Sequence, residues 1–290
     1  MVAAVRSRRP SAGSRAFVRR AYQMILRREA DASGLHQYVS RLDSGEMTRD
    51  DVIDALIDSP EFFFMFDDRS NNLALHLGRC QFVSRLPAAR RILDLGGTAL
   101  DEPAGALVML GYRHQFERLV IVDLPSAERH DLYAEELSRT EAYQSALGPI
   151  EYRYHSMTDL GAYPDASFDL VYSGQSIEHV TESEAERVLA EVHRVLAPGG
   201  WFCLDTPNGA VCRLHSAELI NPDHKVEYSH AELATKLAAA GFTIDWAGGI
   251  GHMGSSVARG SFSFRELVRN WAVYPDPEPC YLLAYHCRRP

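Results

Sequence analysis

The run Arg91-Ile92-Leu93-Asp94-Leu95-Gly96-Gly97-Thr98 restricts this 290-residue chain more than any other stretch. A charged boundary, large apolar residues and an acid leading into adjacent glycines describe a short buried strand that breaks into a tight turn, with backbone open to a ligand. Glycine pairs also end ordinary strands, so the turn alone does not name a chemistry.

From Arg91 onward short apolar runs alternate with helical patterns. Strands are expected at 91–95, 119–123, 150–154, 168–172, 201–204, 242–246 and 280–285, and helices at 104–110, 127–146, 182–196 and 229–240. Such alternation predicts an α/β domain over 90–290, a doubly wound, mostly parallel seven-stranded sheet. Thr181 with Glu184, and Ser229 with Glu232, have capping-box spacing and mark two helix starts. Ahead of the sheet, residues 1–13 read as a disordered basic tail, 14–68 as a small all-α domain and 69–89 as a connecting helix. Phe17, Tyr22, Ile25 and Leu26 share one helical face, Leu35, Tyr38, Val39 and Leu42 a second, and Val52, Ile53, Leu56 and Ile57 a third.

The formal charge of -9 argues against a nucleic-acid partner bound by phosphate neutralisation. Five cysteines, an odd number without a Cys-x-x-Cys pair, suggest neither a disulfide framework nor a zinc site, and a cytoplasmic location fits. No apolar run is long enough for a membrane span.

A second block, Ser167-Phe168-Asp169-Leu170-Val171-Tyr172-Ser173-Gly174-Gln175-Ser176-Ile177-Glu178-His179-Val180, is followed by Val192 to Leu196 and Ala197-Pro198-Gly199-Gly200. With the glycine turn, these residues resemble the class I S-adenosylmethionine-dependent methyltransferases, especially the branch with ubiquinone and menaquinone biosynthesis enzymes, over roughly 90–290. The resemblance implies S-adenosyl-L-methionine as cofactor. Asp94 would orient the loop or meet the methionine amino group, Gly96 and Gly97 would admit the ligand, and Asp123 would accept the ribose hydroxyls. Ser156 would stand near the adenine amine with Met157 beside the ring, Asp159 being the alternative, and Ser173 completes the set. The chain departs from the family at Thr98, where a third glycine is usual, and in a longer interval between Asp94 and Asp123. A Rossmann dehydrogenase would want Gly-x-Gly-x-x-Gly, which this turn lacks.

For transfer to an alcohol a nearby base helps. Glu178 and His179 follow the fourth strand, and Asn221-Pro222-Asp223-His224-Lys225-Val226-Glu227-Tyr228 resembles a family segment that overlies the acceptor. His179 and His224 are therefore the base candidates, with Glu178 or Glu227 orienting one imidazole. His179 could equally only pack or cap. The same carboxylates and imidazoles also permit a Mg2+ site. Trp271 and Tyr274 belong to the core or could stack on a sugar face.

The module at 14–68 resembles a bacterial helical domain of unassigned function. That domain recurs in glycosyltransferases, surface-polysaccharide proteins and phycobilisome-linker-like proteins, which implies docking to a protein partner and a saccharide hydroxyl as acceptor. A quinone, lipid or antibiotic acceptor, and a non-catalytic binding protein with a relic site, are the alternatives.

Overall fold

The computed structural model describes residues 12–59, 61–62, 70–99, 102–125 and 142–290. They form two compact units. One takes in the described residues up to Leu73 together with Ser263–Arg269, the other the remainder from Ala74.

The first unit contains α1 (Ala12–Ile25), α2 (Ala32–Ser44) and α3 (Arg49–Ile57). Asp31 caps α2 by accepting from the Gly34 amide, Gly45 ends it in the left-handed region, and Thr48 with Asp51 forms a capping box at α3. Val18, Tyr22, Leu26, Val39, Val52 and Leu56 are buried together, so each helix turns one stripe inward. Ala12 and Gly13 already lie in α1, so the helix begins inside the stretch expected as tail; residues 1–11 are outside the described residues. A segment far along the chain completes this unit. Arg265, in the short helix at Phe264–Arg269, forms an ion pair with Asp54, and the Ser263 hydroxyl donates to Asp58 at 3.0 Å.

In the second unit, described from residue 74 of helix α4 (Ser70–Val83), the strands are β1 (Arg91–Leu95), β2 (Arg118–Asp123), β3 (Ala142–Gln144), β4 (Pro149–Tyr154), β5 (Phe168–Gly174), β6 (Leu196–Pro207), β7 (Thr243–His252), β8 (Val273–Tyr274) and β9 (Cys280–Arg288). They build one nine-stranded sheet in the order β3-β4-β2-β1-β5-β6-β9-β7-β8. The β4, β2, β1, β5 and β6 pairings are parallel, while β9 runs antiparallel to β6 and β7.

The expected count of seven is corrected to nine. The additions, β3 and β8, are antiparallel edge strands of three and two residues, too short to show a period of two. β3 also replaces the end of the helix expected at 127–146, whose 127–141 portion lies outside the described residues.

Helices α5 (Gly105–Met109), α6 (Glu182–Val195), α7 (Gly209–His215) and α8 (His230–Ala239) connect the strands. Thr181 and Ser229 make the anticipated capping boxes with Glu184 and Glu232. Behind the first, Ala185, Val188, Leu189, Val192 and Val195 recur at helical spacing and are buried against β5 and β6 residues such as Val171 and Phe202. Burying each of these valine and leucine side chains contributes about 1.5–3 kcal/mol, which holds the helix to the sheet. Because Thr181 satisfies an amide that would otherwise lack a partner, Thr181→Ala should cost about 1 kcal/mol of stability. Urea unfolding measures it, and an unchanged midpoint would contradict that role for the cap.

Candidate functional site

The chain leaves β1 toward β2 on one side and later enters β5 on the other, so the strand order reverses between β1 and β5. Outside the carboxyl ends of those strands is where an open α/β sheet leaves a crevice. Asp94, the turn after it, Asp123 and the segment 173–179 all come from these ends.

The turn is built around Asp94, which is only 1% exposed. Its Oδ2 accepts from the Leu107 amide at 3.3 Å, tying the β1 end to the start of α5, and the Ala106 amide donates to Gly97 O at 2.7 Å. A Cβ on Gly97 would lie 2.0 Å from Asp94 Oδ2, so only glycine fits there. Gly96 has φ +72° and donates to Val122 O at 2.8 Å; its own Cβ would come 2.9 Å from Ser176 Cβ. Burial raises Asp94 to about 7. Its Oδ1 and the Thr98 hydroxyl are buried without a protein partner. On β2, Asp123 Oδ1 accepts from the Leu124 amide at 2.8 Å and Oδ2 from the Thr98 amide at 3.3 Å, which ties the two strand ends together.

Beyond β4, Ser156 Oγ and Thr158 Oγ1 share a hydrogen bond of 2.8 Å, Met157 packs half-buried against the core, and exposed Asp159 accepts from the Gly161 amide at 3.0 Å. All three carboxyl or hydroxyl groups at this tip are engaged in local turns.

At the β5 end, Ser173 Oγ lies 2.6 Å from Ser176 Oγ. A single 3-10 turn, Ile177–His179, then brings Glu178 and His179 against the loop carrying His224. One ligand atom from each of Glu178, His179 and His224 lies within 4.8 Å of the others, and the two imidazoles meet edge to face at 5.0 Å between centroids. Glu178 is fully buried; its Oε2 accepts from the Thr206 hydroxyl at 2.9 Å and its Oε1 has no protein partner. Burial raises Glu178 to about 7, while burial and the neighbouring His224 hold His179 below the ordinary histidine range. His224 Nδ1 pairs at 2.7 Å with Oε1 of buried Glu227, which also accepts from the Ile220 amide and pairs with Arg213. Of the two orienting acids anticipated from the sequence, Glu227 is the one in hydrogen-bond contact with an imidazole.

Residues 106–204 match a family described as a methyltransferase domain, and residues 8–66 match a domain of unknown function, DUF4214. A Mycolicibacterium smegmatis protein described as a probable S-adenosylmethionine-dependent methyltransferase is 35% identical over 114 residues, covering 39% of this chain and 43% of the relative. The α/β unit has a Rossmann-like methyltransferase fold, and its matched segment is similar to S-adenosylmethionine-dependent methyltransferases. Its sheet is also similar to that of a Thermotoga maritima methyltransferase structure (TM-score 0.50, 18% identity, 79% of this chain and 99% of that one). A Haloferax volcanii structure, a complex with the Trm112 methyltransferase activator, compares at TM-score 0.51 and 17% identity, over 78% and 93% of the two chains. The aligned segment is thus less than half of the curated relative's length.

The α/β unit contains groups that sequence patterns did not single out. Arg79, Tyr172, Gln175 and Thr206 line the same strand ends, Arg79 from a helix outside the matched segment. No local pattern marks them. Of the two readings of Trp271 and Tyr274, core or stacking on a sugar face, the 37% exposure of Trp271 speaks against core for that residue, while Tyr274 packs on the His252 ring.

The raised Glu178 has a measurable consequence. Its folded-state value of about 7 lies above its ordinary 4.5, so the fold retains a proton that the unfolded chain releases between them. The stability contributed by that proton is complete at lower pH and is lost as pH rises through about 7. Glu178→Gln, which does not titrate, should therefore gain in melting temperature relative to wild type as pH rises through this window. A constant difference across the window would refute the assignment.

Proposed function

We propose that this protein binds S-adenosyl-L-methionine at the β1–β2–β5 strand ends and methylates an acceptor hydroxyl at the rim formed by Glu178, His179 and His224. The observation carrying this reading is the Gly96–Gly97 turn, packed on buried Asp94 at the strand-order reversal and in contact with the segment that leads to the rim. The residues fit the cofactor. Asp94 Oδ1 and Thr98 Oγ1 are buried polar atoms awaiting partners, and Asp123 at the end of β2 brings a carboxylate, the acceptor chemistry that ribose hydroxyls call for. Ser156 and Met157, with Asp159 as the alternative, would border the adenine, and Ser173 would face the cofactor from β5. When bound, S-adenosylmethionine supplies a methyl already activated on a sulfonium.

The chain's own contribution is alignment and one proton transfer. His224 is the better base of the two histidines, because Glu227 fixes its ring through Nδ1 and leaves Nε2 for the acceptor. Glu178 and His179 would border the acceptor. A saccharide hydroxyl remains the preferred acceptor on the association of the helical domain, which we read as a docking element for a protein partner; a quinone, lipid or antibiotic scaffold would change the pocket alone. Five free cysteines and the lack, among described residues, of a helix able to cross a membrane accord with a cytoplasmic enzyme.

A specific observation favours a second reading of the rim. Glu178, whose Oε1 is buried without a partner, offers a carboxylate oxygen within 4.8 Å of a ligand atom of each of two imidazoles, a set that would hold a divalent cation. Magnesium prefers oxygen ligands, so this donor set suits a transition ion such as Mn2+ or Zn2+ better.

Asp123→Ala should weaken S-adenosylmethionine binding by about tenfold or more in calorimetry; undiminished affinity would remove Asp123 from the site. With an acceptor found by methyl-transfer screening, His224→Gln should lower turnover by about 10²-fold with cofactor affinity retained. Chelation separates the two readings: activity lost to EDTA and restored by Mn2+ assigns His224 to a cation, and activity indifferent to EDTA assigns it to the proton.

A further inference from the structure

Asp205, at the end of β6, has a side chain wholly hidden from solvent, yet the chemistry above gives it no task. Its Oδ1 accepts from Arg79 Nε at 2.7 Å and from Gln175 Nε2 at 2.9 Å, and its Oδ2 from the Tyr172 hydroxyl at 2.6 Å. Burial, with the Asp205 carboxylate beside it, holds the Tyr172 phenol well above its ordinary range, so it stays a donor. Only a carboxylate offers both oxygens to these donors; an amide would turn an NH2 toward one of them.

What this carboxylate holds is a backbone conformation that side chains disfavour. Gln175 has φ +56°, in the left-handed region, and its amide donates to Asp205 O at 2.8 Å while its side chain reaches Asp205 Oδ1. The next residue, Ser176, touches Ser173 and faces Gly96, and its carbonyl accepts from the His179 amide at 3.2 Å. Thr206, adjacent to Asp205, holds Glu178. The end of β6 thus grips both halves of the segment between the cofactor turn and the rim.

We propose that Asp205, backed by Arg79 and Tyr172, is the positioning residue of the site: it holds the left-handed turn at Gln175 and thereby sets Ser176 against the cofactor turn and Glu178 and His179 at the rim. This rests on the methyl-transfer reading for its kinetic consequence, though not for its geometry.

The test cuts the link between carboxylate and turn while leaving the ion pair. Gln175→Met, close in shape, should lower turnover by about tenfold or more, with cofactor affinity changed by less than about threefold. It should also shift the ring resonances of His179, assigned by comparison with His179→Gln. Tyr172→Phe, which loosens Asp205 from the other side, should shift the same resonances. Unmoved resonances in both variants overturn the proposal, as does a Gln175→Met protein whose turnover and cofactor affinity fall together, because that pattern belongs to general loss of structure. If the wild-type protein transfers no methyl to any acceptor, the functional reading fails on its own, and the His179 resonances still decide the positioning role.

Discussion

Asp94 and Gly97 interlock: the carboxylate comes so close that a Cβ on the glycine would lie 2.0 Å from Asp94 Oδ2. That contact lets the chain turn sharply off β1, places the Ala106 amide on Gly97 O, and brings Gly96 against Ser176 from β5. The remaining strand ends are arranged about this turn. Asp123 is tied to it through the Thr98 amide, and the rim residues reach it through Ser176. Close packing of this kind transmits position with little slack, because an interior at crystal density leaves no room for the turn to drift.

Around the turn lie carboxylates in contrasting surroundings. Asp94 and Glu178 are buried with one oxygen unpartnered each, and burial raises both to about 7. Asp205, equally buried, has a guanidinium and two neutral donors. Glu227 has an imidazole, a guanidinium and an amide. The carboxylates whose capacity is filled hold neighbouring groups in place. A desolvated carboxyl oxygen without a partner is costly to ionise, which is why burial raises both acids.

The legible part of this architecture was the part written in local spacing. The apolar runs of β1, β2, β4, β5, β6, β7 and β9 announce buried strands, and the capping boxes at Thr181 and Ser229 fix where two helices begin. Asp94, Gly96, Gly97, Asp123, Glu178, His179 and His224 stood out because each ends a strand or opens a loop within a recognisable motif. The edge strands β3 and β8 escaped notice for want of length, and the helix at Phe264–Arg269 gave no hint that it packs with residues near the other end of the chain. Arg79 was illegible for the same reason: its partner is 126 residues away.

The sequence by itself determined the alternation of strands and helices, the glycine turn and the chemical identity of the groups at the strand tips, since these follow from side-chain period, backbone freedom and residue type. Only the tertiary structure decided which groups meet. That His224 is oriented by Glu227, that a carboxylate oxygen of Glu178 lies near two imidazoles, and that Asp205 holds the turn at Gln175 all depend on loops and strands distant in the chain being brought together by the pairing of β1, β5, β6 and β9. Hydrogen bonds act over about 3 Å of space and carry no memory of separation along the chain, so no reading of local pattern can supply them.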